Sequence, residues 1–339
     1  MSTAIYVGKE GINLLGKNQD NPYDGAYIFT NQRNVMKRAM VMPPDHPVEW
    51  ISRYGSLIVT QVGKEMPNGG MNEAGLVVEQ TTLWKSTYSE NIDLPAIGEL
   101  PWMQLLLDTC SSVQEAIEAA SKVRIVQPMS RLHYIVCDRL QDCAVIEFLN
   151  GQMNVYRGHT LPISIMANTP YVEAVRDLED TEEKWHNGYD DYSRNSMERF
   201  KRVATSIALP IPTNEEEHIG YLFEALQAAR REDTAYSLVY DLEKLELHFL
   251  SNRYQERKVI RLRELNFSLQ SNAKVLDLHQ SDAGVYNDRF EEYNSSINRI
   301  VVESFFRHPV LTESFGWMIT EEMINFLATF PDLYQSGEK

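Results

Sequence analysis

The sequence of 339 residues lacks the features of a membrane-spanning or disulfide-stapled protein. Its three cysteines, Cys110, Cys137 and Cys143, form neither a CxxC pair nor a metal-binding spacing, and we expect Cys137 and Cys143 to be buried and unreactive. A low and odd number of cysteines fits a reducing compartment. No apolar run approaches the roughly 20 residues that span a bilayer. The sequence therefore predicts neither a membrane-spanning helix nor a disulfide framework.

The N-terminus lacks a basic segment followed by an apolar one, the pattern of a secretory leader. We therefore expect a cytoplasmic protein, or a periplasmic or extracellular one if a leader has been removed. Basic residues are also few, because 32 Lys and Arg stand against 48 Asp and Glu, a formal net charge of −16. Phosphate groups and anionic lipids repel such a chain, so we expect no nucleic-acid partner and no membrane partner.

The motifs of several common enzyme classes are missing as well. The sequence contains no GxSxG elbow, Walker loop, GxGxxG, HExxH or CxxC. Its eight histidines are dispersed, and we expect His133, in a predicted strand, to be a satisfied core or surface residue. We therefore expect no metal and no cofactor. An enzyme with this sequence would need a nucleophile that works without histidine.

The elements that are present indicate antiparallel sheets covered by helices. Thr3–Val7 and Ile12–Leu15 predict a hairpin with the four-residue loop Gly8–Gly11, and further strand candidates follow up to about residue 100. Helices begin there, and Ser112–Glu115 and Thr213–Glu216 have the pattern of capping boxes. Strands return near both ends without a βαβ repeat, which favours a single α+β domain over residues 1–339.

Two segments fit this pattern less well. The acidic, turn-rich stretch Asp177–Asp191 predicts a surface loop. Residues 275–339 read as a C-terminal extension of uncertain role. Its final helix, opened by Thr320 and running to about Phe330, is amphipathic together with Trp317 just before it. We expect this helix to pack on the core or on another subunit.

The chain terminus itself offers a nucleophile that needs no histidine. If Met1 is removed, the α-amino group of Ser2 becomes free, with a reference pKa of roughly 7.7–8.0. Such an amine acts as the base for the side chain of its own residue. Many proteins begin with Met-Ser, so this pattern alone is a weak indication of an N-terminal nucleophile. The stronger indication comes from the residues around it.

Those residues resemble the choloylglycine hydrolase and penicillin V acylase family, whose nucleophile is followed by Thr and then by a Gly-[Arg/Lys]-Asn-x-Asp motif. Here Ser2–Ala4 is followed by Gly16–Asp20. The likeness continues in family order at four segments and a strand, namely Tyr54–Ser56, Gly69–Leu76 (GGMNEAGL), Ala167–Pro170, Ser196–Phe200 and the strand ending at Asp241. It is closest to the linear-amide C–N hydrolase branch of bacteria. The resemblance implies a four-layer αββα sandwich and, since relatives are often homotetramers, a homo-oligomer.

The resemblance also implies roles for single residues. Lys17 matches the cation beside the nucleophile, and Asp20 matches the carboxylate that orients the α-amine. Asn168 matches the oxyanion-hole amide, and Thr82 falls where relatives place the second oxyanion or pocket residue. Arg199 matches the distal arginine that supports the nucleophile and its carboxylate. A turn or surface role remains the alternative for Lys17, Asp20, Asn168 and Arg199, and the role of Thr82 is supported by spacing alone.

Ser2 departs from the family, which carries cysteine at this position. Three explanations stay open: a Cys-to-Ser variant made to trap substrate, a natural serine enzyme, and a protein without activity. The acyl group implied by the family is apolar or aromatic, and Tyr23, Tyr27 and Trp84 are candidates for its pocket. We therefore predict a hydrolase of small N-acyl amides that uses an acyl-enzyme. The alternatives are a non-catalytic binding protein on the same fold and an acyltransferase.

Overall fold

The structure, a computed structural model, describes residues 1–9, 11–180 and 188–337. Within these residues the strands are, in chain order, β1 (Ser2–Lys9), β2 (Ile12–Asp20), β3 (Tyr27–Asn31), β4 (Val35–Arg38), β5 (Glu49–Ile51), β6 (Ser56–Thr60), β7 (Gly69–Asn72), β8 (Val77–Thr82), β9 (Ala96–Ile97), β10 (Arg124–Ile125), β11 (Leu132–Cys137), β12 (Cys143–Leu149), β13 (Gln152–Arg157), β14 (Ile165–Met166), β15 (Thr234–Asp241), β16 (Glu246–Ser251), β17 (Lys258–Arg261), β18 (Lys274–Asp277), β19 (Gly284–Val285), β20 (Glu291–Glu292) and β21 (Gln335–Ser336). The α-helices of the same residues are α1 (Glu99–Thr109), α2 (Val113–Ala120), α3 (Tyr171–Glu179), α4 (Asp191–Ile207), α5 (His218–Ala228), α6 (Ser295–Phe306), α7 (Pro309–Phe315) and α8 (Glu321–Thr329).

Two large sheets form the centre of the molecule. The first has the strand order β14-β1-β2-β15-β16-β17-β19, and the second has the order β13-β12-β11-β8-β7-β6-β3-β18-β20. Neighbouring strands in both sheets are antiparallel, except that β17 and β19 run parallel. The second sheet therefore extends from hairpins near the N-terminus to strands that follow residue 270.

Helices cover the outer face of each sheet. Leu238 and Ile135 belong to the core between the two sheets, whereas Phe200 and Leu222 pack from α4 and α5 onto the first sheet. Trp102 of α1 belongs to the core outside the second sheet, together with apolar residues of α2, α6 and α8. Strands of a sandwich core are buried on both faces, and every residue of β11 is buried. The predicted α+β, four-layer αββα sandwich is confirmed.

The N-terminal hairpin is longer and tighter than the sequence suggests. Gly8 and Lys9 still pair with β2, so the predicted four-residue loop is wrong. Gly11, just before β2, has a φ of 80°, in the left-handed region that favours glycine. The register places Ser2 opposite Gln19 at the far end of the hairpin.

Side-chain caps confirm two of the three predicted helix starts. Ser112 caps α2 and Thr320 caps α8, each by accepting a hydrogen bond from a backbone N–H of the first turn. The cap predicted at Thr213 is wrong. Asn214 takes that position, and a short 3₁₀ turn, Glu215–Glu217, precedes α5.

The acidic stretch Asp177–Asp191 is only partly the loop that the sequence predicts. Its first residues continue α3 to Glu179, and Asp177 is buried on the same face of that helix as Ala174. Helix α4 begins at Asp191. Residues 181–187 lie outside the described residues.

The C-terminal residues pack against the second-sheet side of the molecule. Ile324 and Ala328 of α8 are buried there, whereas Phe326 is exposed, so the final helix is amphipathic as predicted. Trp317 precedes the helix, near the start of the α7–α8 connection. Among the described residues, no helix has both the length and the apolar composition to cross a bilayer.

The cysteines predicted to be unreactive are buried. Cys137 and Cys143 lie opposite one another on β11 and β12 as free thiols. Burial raises the pKa of the Cys137 thiol well above its ordinary value, which keeps it in the unreactive protonated form.

Candidate active site

Ser2 lies at the start of β1 and is 2% exposed. Its backbone N–H donates to Oδ1 of Asn168 at 3.2 Å, and its carbonyl accepts from Nη1 of Arg199 at 2.7 Å. Its hydroxyl donates to the carbonyl of Met1 and contacts Oε1 of Gln19 at 3.3 Å. Every polar group of Ser2 is therefore held by residues from four separate parts of the chain.

Met1 extends the hairpin by one more pair. Its amine donates to the carbonyl of Asp20 at 3.1 Å, and the N–H of Asp20 donates to the carbonyl of Met1 at 3.1 Å. Burial lowers the pKa of the Met1 amine from 8.0 to about 6, although the carboxylate of Asp20 opposes this shift. Met1 lines a cavity, and its neighbour Ser2 is not among the residues that line it.

The carboxylate of Asp20 is buried with one oxygen open. Its Oδ1 accepts from Oγ1 of Thr234 at 2.6 Å, but its Oδ2 has no hydrogen-bond partner in the part of the chain that the structure describes. Oδ2 lies 3.9 Å from Arg199 Nη1 and 3.9 Å from Arg231 Nε. Burial raises the pKa of Asp20, and Arg199 opposes that shift. An open, buried acceptor beside a chain terminus is a place for a further donor.

Asn168 connects Ser2 to both the second sheet and α4. Its Oδ1 accepts from Ser2 and from Nη2 of Arg199 at 2.6 Å, while its Nδ2 donates to the carbonyl of Thr82 at 2.8 Å. An amide nitrogen carries two protons, so this bond leaves one of them for another acceptor. Its backbone N–H donates to Oγ of Ser196 at 2.8 Å, which fixes the turn that carries it.

Arg199 is wholly buried on α4, one turn after Ser196. Residues three apart share a helix face, so one face of α4 supplies contacts to both Asn168 and Ser2. Burial lowers the pKa of Arg199 to about 10, so its guanidinium keeps its charge at neutral pH. The structure thus brings Ser2, Asp20 and Arg199 together, as the resemblance implies.

The cation of Lys17, predicted to lie beside the nucleophile, is paired across the two sheets, and its catalytic role stays a prediction. Its Nζ donates to Oε2 of Glu79 at 2.8 Å and to the carbonyl of Gln80 at 2.5 Å, both in the facing sheet. Tyr240 donates to the other oxygen of Glu79 at 2.7 Å. Among the described residues, no hydrogen bond joins Lys17 to Ser2. Lys17 forms a closed ion pair between the sheets, two residues along β2 from the partner of Ser2.

A cavity of about 250 Å³ adjoins this cluster. Asp20, Thr82 and Trp84 line it, so three residues singled out in the sequence meet there. The contribution of Thr82 to Asn168 is its carbonyl, and a role as oxyanion donor stays a prediction. In the described ranges, no three His, Cys, Asp or Glu side chains converge where a metal ion could bind.

Of the three aromatics named as pocket candidates, Trp84 lines this cavity, whereas Tyr23 and Tyr27 do not, and a role in binding the acyl group stays a prediction for all three. Tyr23 packs its ring edge-on against Phe305 and His308, with centroids 5.6 and 5.2 Å apart. Tyr27 pairs within the second sheet, between β6 and β18. The C-terminal residues that turn Tyr23 into the core lie almost 300 positions away in the chain.

Sequence reasoning also missed polar residues at the site. Arg231, which reads as a scattered surface charge, donates to Asp233 and Asn195 and faces Asp20. Glu99 lines the cavity, and its Oε1 accepts from two backbone N–H groups, at 3.0 and 3.1 Å. Burial raises the pKa of Glu99 to about 7. In the sequence it reads only as an acid in the first turn of a helix, a common feature.

The family resemblance extends over most of the chain. The family model of linear amide C–N hydrolases, choloylglycine hydrolase family, matches residues 3–275. The chain belongs to this family. The resemblance of the N-terminal motifs is thereby confirmed, and membership supports hydrolysis of linear amide C–N bonds. Residues 276–339 lie beyond the match.

Solved structures of similar fold come from the same family. Penicillin V acylase from Agrobacterium tumefaciens has a TM-score of 0.73 at 22% identity, covering 87% of this chain and 98% of that one. A mutant of conjugated bile acid hydrolase from Clostridium perfringens has a TM-score of 0.64 at 19% identity, covering 84% and 98%. At these identities the likeness concerns the fold. No curated protein sequence matches the chain.

Proposed function

We propose that this chain hydrolyses linear N-acyl amides through residue 2, as an N-terminal nucleophile, once Met1 has been removed. One observation carries the proposal: Ser2 is buried in contact with Asn168 and Arg199, close to the open carboxylate oxygen of Asp20. Removal of Met1 would leave the α-amine on Ser2 and would open the way from the cavity. A hydroxyl whose own residue carries a free amine has a base at hand.

In the first step the neutral α-amine takes the proton of the Ser2 hydroxyl, and Oγ attacks the carbonyl carbon of the amide. The amine has to be neutral for this step. Burial lowers the pKa of the Met1 amine, which now occupies the site, to about 6. Burial acts in the same direction on an amine at Ser2. The open Oδ2 of Asp20 then accepts a hydrogen bond from the α-ammonium that forms.

Attack places a negative charge on the former carbonyl oxygen. The second proton of Asn168 Nδ2 is available to that oxyanion, an interaction worth ~2.7–4 kcal/mol in comparable sites. When the intermediate collapses, the C–N bond breaks and the α-ammonium gives its proton to the leaving nitrogen. Ser2 retains the acyl group as an ester.

Water completes the cycle. The α-amine takes a proton from the attacking water, and the new C–O bond forms at the ester carbon. Collapse releases the carboxylic acid, and the proton returns from the amine to Oγ of Ser2. A hydroxyl ionises far less readily than a thiol, so the Ser2→Cys variant should react faster than the chain with serine.

A non-catalytic binding protein is the second candidate, favoured by the contacts of Met1. While Met1 is present, its amine pairs with the carbonyl of Asp20, and Ser2 carries an amide instead of a base. Intact mass separates the candidates. Met1 retained in protein made by its native host supports binding, and Met1 absent supports hydrolysis.

The test compares the Met1-free chain with its Ser2→Cys and Ser2→Ala variants on a panel of N-acyl amides. We expect amine release by Ser2→Cys, an acyl group on residue 2 by peptide mass, and neither with Ser2→Ala. A panel that yields neither amine nor acylated residue 2 would refute the hydrolase. Acyl transfer to an added amine, in preference to water, would identify an acyltransferase.

A further inference from the structure

The cavity beside Ser2 is walled in part by the C-terminal residues. Four large apolar side chains of that region line it, namely Phe305, Leu311, Phe315 and Trp317. All four lie beyond residues 3–275, which the family model matches. The family-matched region contributes the polar lining near the nucleophile, including Asp20 and Thr82. The cavity is therefore lined partly by the family-matched region and partly by the C-terminal extension.

The aromatic wall is held by its own packing. The ring of Trp317 stacks on Phe315, with centroids 4.6 Å apart and an interplanar angle of 9°, and lies 5.7 Å from the ring of Phe305. The chain returns to this position because α7 ends at Gly316, whose φ of 63° reverses its direction. The wall is thus a folded aromatic cluster in contact with the core.

The helix below the wall is anchored to the connection between β6 and β7. Asn298 of α6 is wholly buried. Its Oδ1 accepts from the N–H of Lys64 at 2.8 Å, and its Nδ2 donates to the carbonyl of Ala328 in α8 at 2.8 Å. These two bonds tie α6 to both the β6–β7 connection and the last helix. Displacing the wall would break buried hydrogen bonds.

The volume limits what the wall can accept. About 250 Å³ is below the ~300–1,000 Å³ typical of sites for drug-sized ligands. Apolar rings on the wall favour an apolar or aromatic group, and a flat ring stacks well on Trp317. Removing Met1 adds room beside Ser2, so the C-terminal wall remains the boundary of the acyl group.

We propose that Phe305, Phe315 and Trp317 form the acyl-binding wall and restrict the substrate to amides of a small acyl group, such as one aromatic ring. This inference rests on the proposed function for the identity of the ligand as an acyl amide. Ordinary specificity by a hydrophobic pocket is about 10–200-fold for small changes in ligand size. The wall acts by excluding fused-ring acyl groups.

The test measures binding of phenylacetamide and pyrenylacetamide by calorimetry to the chain as it stands. We expect phenylacetamide to bind at least about tenfold more tightly, and Trp317→Ala to remove that preference. Phe315→Ala, which truncates a half-exposed ring, should weaken the preference with little risk to folding. The control is Met318→Ala, since Met318 is 90% exposed beside Trp317.

An unchanged preference in both Trp317→Ala and Phe315→Ala would overturn the wall, as would an equal loss in Met318→Ala. A parent chain that binds the two amides equally would overturn it too. Acylation of residue 2 is scored separately, on the Met1-free Ser2→Cys protein. Acylation without a wall-dependent preference refutes only this inference. A wall-dependent preference without acylation refutes only the hydrolase.

Discussion

Two buried charge clusters of this chain differ in whether all of their carboxylate oxygens accept a hydrogen bond. Near the second sheet, Lys37 Nζ donates to Glu65 at 2.7 Å and lies 2.9 Å from Asp108. Near the first sheet, Arg199 faces Asp20 at 3.9 Å. In the Lys37 cluster every carboxylate oxygen has a hydrogen-bond partner, with the remaining oxygens bound by Lys64, Gln104 and Trp50. In the Asp20 cluster one carboxylate oxygen is open.

The difference separates a cluster that holds the fold from one that can do chemistry. Buried polar groups are normally satisfied, because an unmade hydrogen bond costs free energy on folding. A protein keeps an open acceptor where a substrate, a proton or a terminal amine is to be received. The Lys37 cluster has no such opening, and we assign it to stability. The Asp20 cluster has one, beside the chain terminus.

The largest expected effect is on the closed cluster. Lys37→Met would leave the carboxylates of Glu65 and Asp108 buried without their cation, which should cost about 3–5 kcal/mol of unfolding free energy. Urea denaturation measures this. Arg38→Met, at a neighbouring and largely exposed position, is the control and should change stability by less than about 0.5 kcal/mol. Equal, small effects of both variants would contradict a structural role for the cluster.

A substitution in the Asp20 cluster should lower the rate of amide hydrolysis. In the Met1-free Ser2→Cys protein, Asn168→Ala removes the oxyanion donor, and kcat for amide hydrolysis should fall by about 10²–10³, or ~2.7–4 kcal/mol. Steady-state kinetics give kcat and KM separately. Asn154→Ala on β13 is the matched control. A change confined to KM would mean that Asn168 binds substrate without stabilising the transition state.

The amine of Met1 should make stability depend on pH in the chain that retains this residue. Its pKa is about 6 when folded and 8.0 ordinarily, so between these values the unfolded state binds more protons. The unfolding free energy therefore rises with pH from about 6 to 8, by an amount on the order of 1–3 kcal/mol. This contribution of the Met1 amine is lost as the pH falls back through 6. Subtracting the curve of Nα-acetylated protein isolates this group. Parallel curves would contradict a buried amine.

The exposed ion pair of Arg253 with Asp24 should give the smallest effect. The two side chains meet at 2.9 Å, but Arg253 is about half exposed. Arg253→Ala should cost only about 0.2–1 kcal/mol, and less at high salt. Its hydrogen bonds lower the pKa of Asp24 to about 2, so the variant should also bring that pKa back towards its ordinary value, measured by NMR titration. A loss of unfolding free energy as large as that of Lys37→Met would contradict the claim that buried ion pairs matter more for stability than exposed ones.

The parts of the site that lie close in the chain could be predicted from the sequence. Ser2 and Asp20 belong to one hairpin, and their proximity follows from the pairing of β1 with β2. Asn168 and Arg199 could be named only through family motifs, because nothing local indicates that a turn and a helix face meet at residue 2. Both residues form hydrogen bonds with the backbone of Ser2, and their catalytic roles stay predictions.

The side-chain environments that the sequence did not indicate depend on packing between distant elements. The predicted strand Ile12–Leu15 stops short of Lys17, whereas β2 continues through it to Asp20, and the stacking of the two sheets brings its Nζ to Glu79. The orientation of Tyr23 depends on Phe305, far along the chain. The aromatic wall around Trp317 could not be predicted for the same reason. Periodicity shows which face of an element is apolar but not which element covers it.

Our central claim is that the α-amine of residue 2 is the base. The most direct measurement compares the Ser2→Cys chain with Met1 removed and with Met1 retained, each exposed to the same N-acyl amide. Intact mass then reports the fraction acylated at residue 2. We predict acylation of the Met1-free chain only. Equal acylation of the chain that retains Met1 would contradict the account, because no free amine exists on residue 2 in that protein.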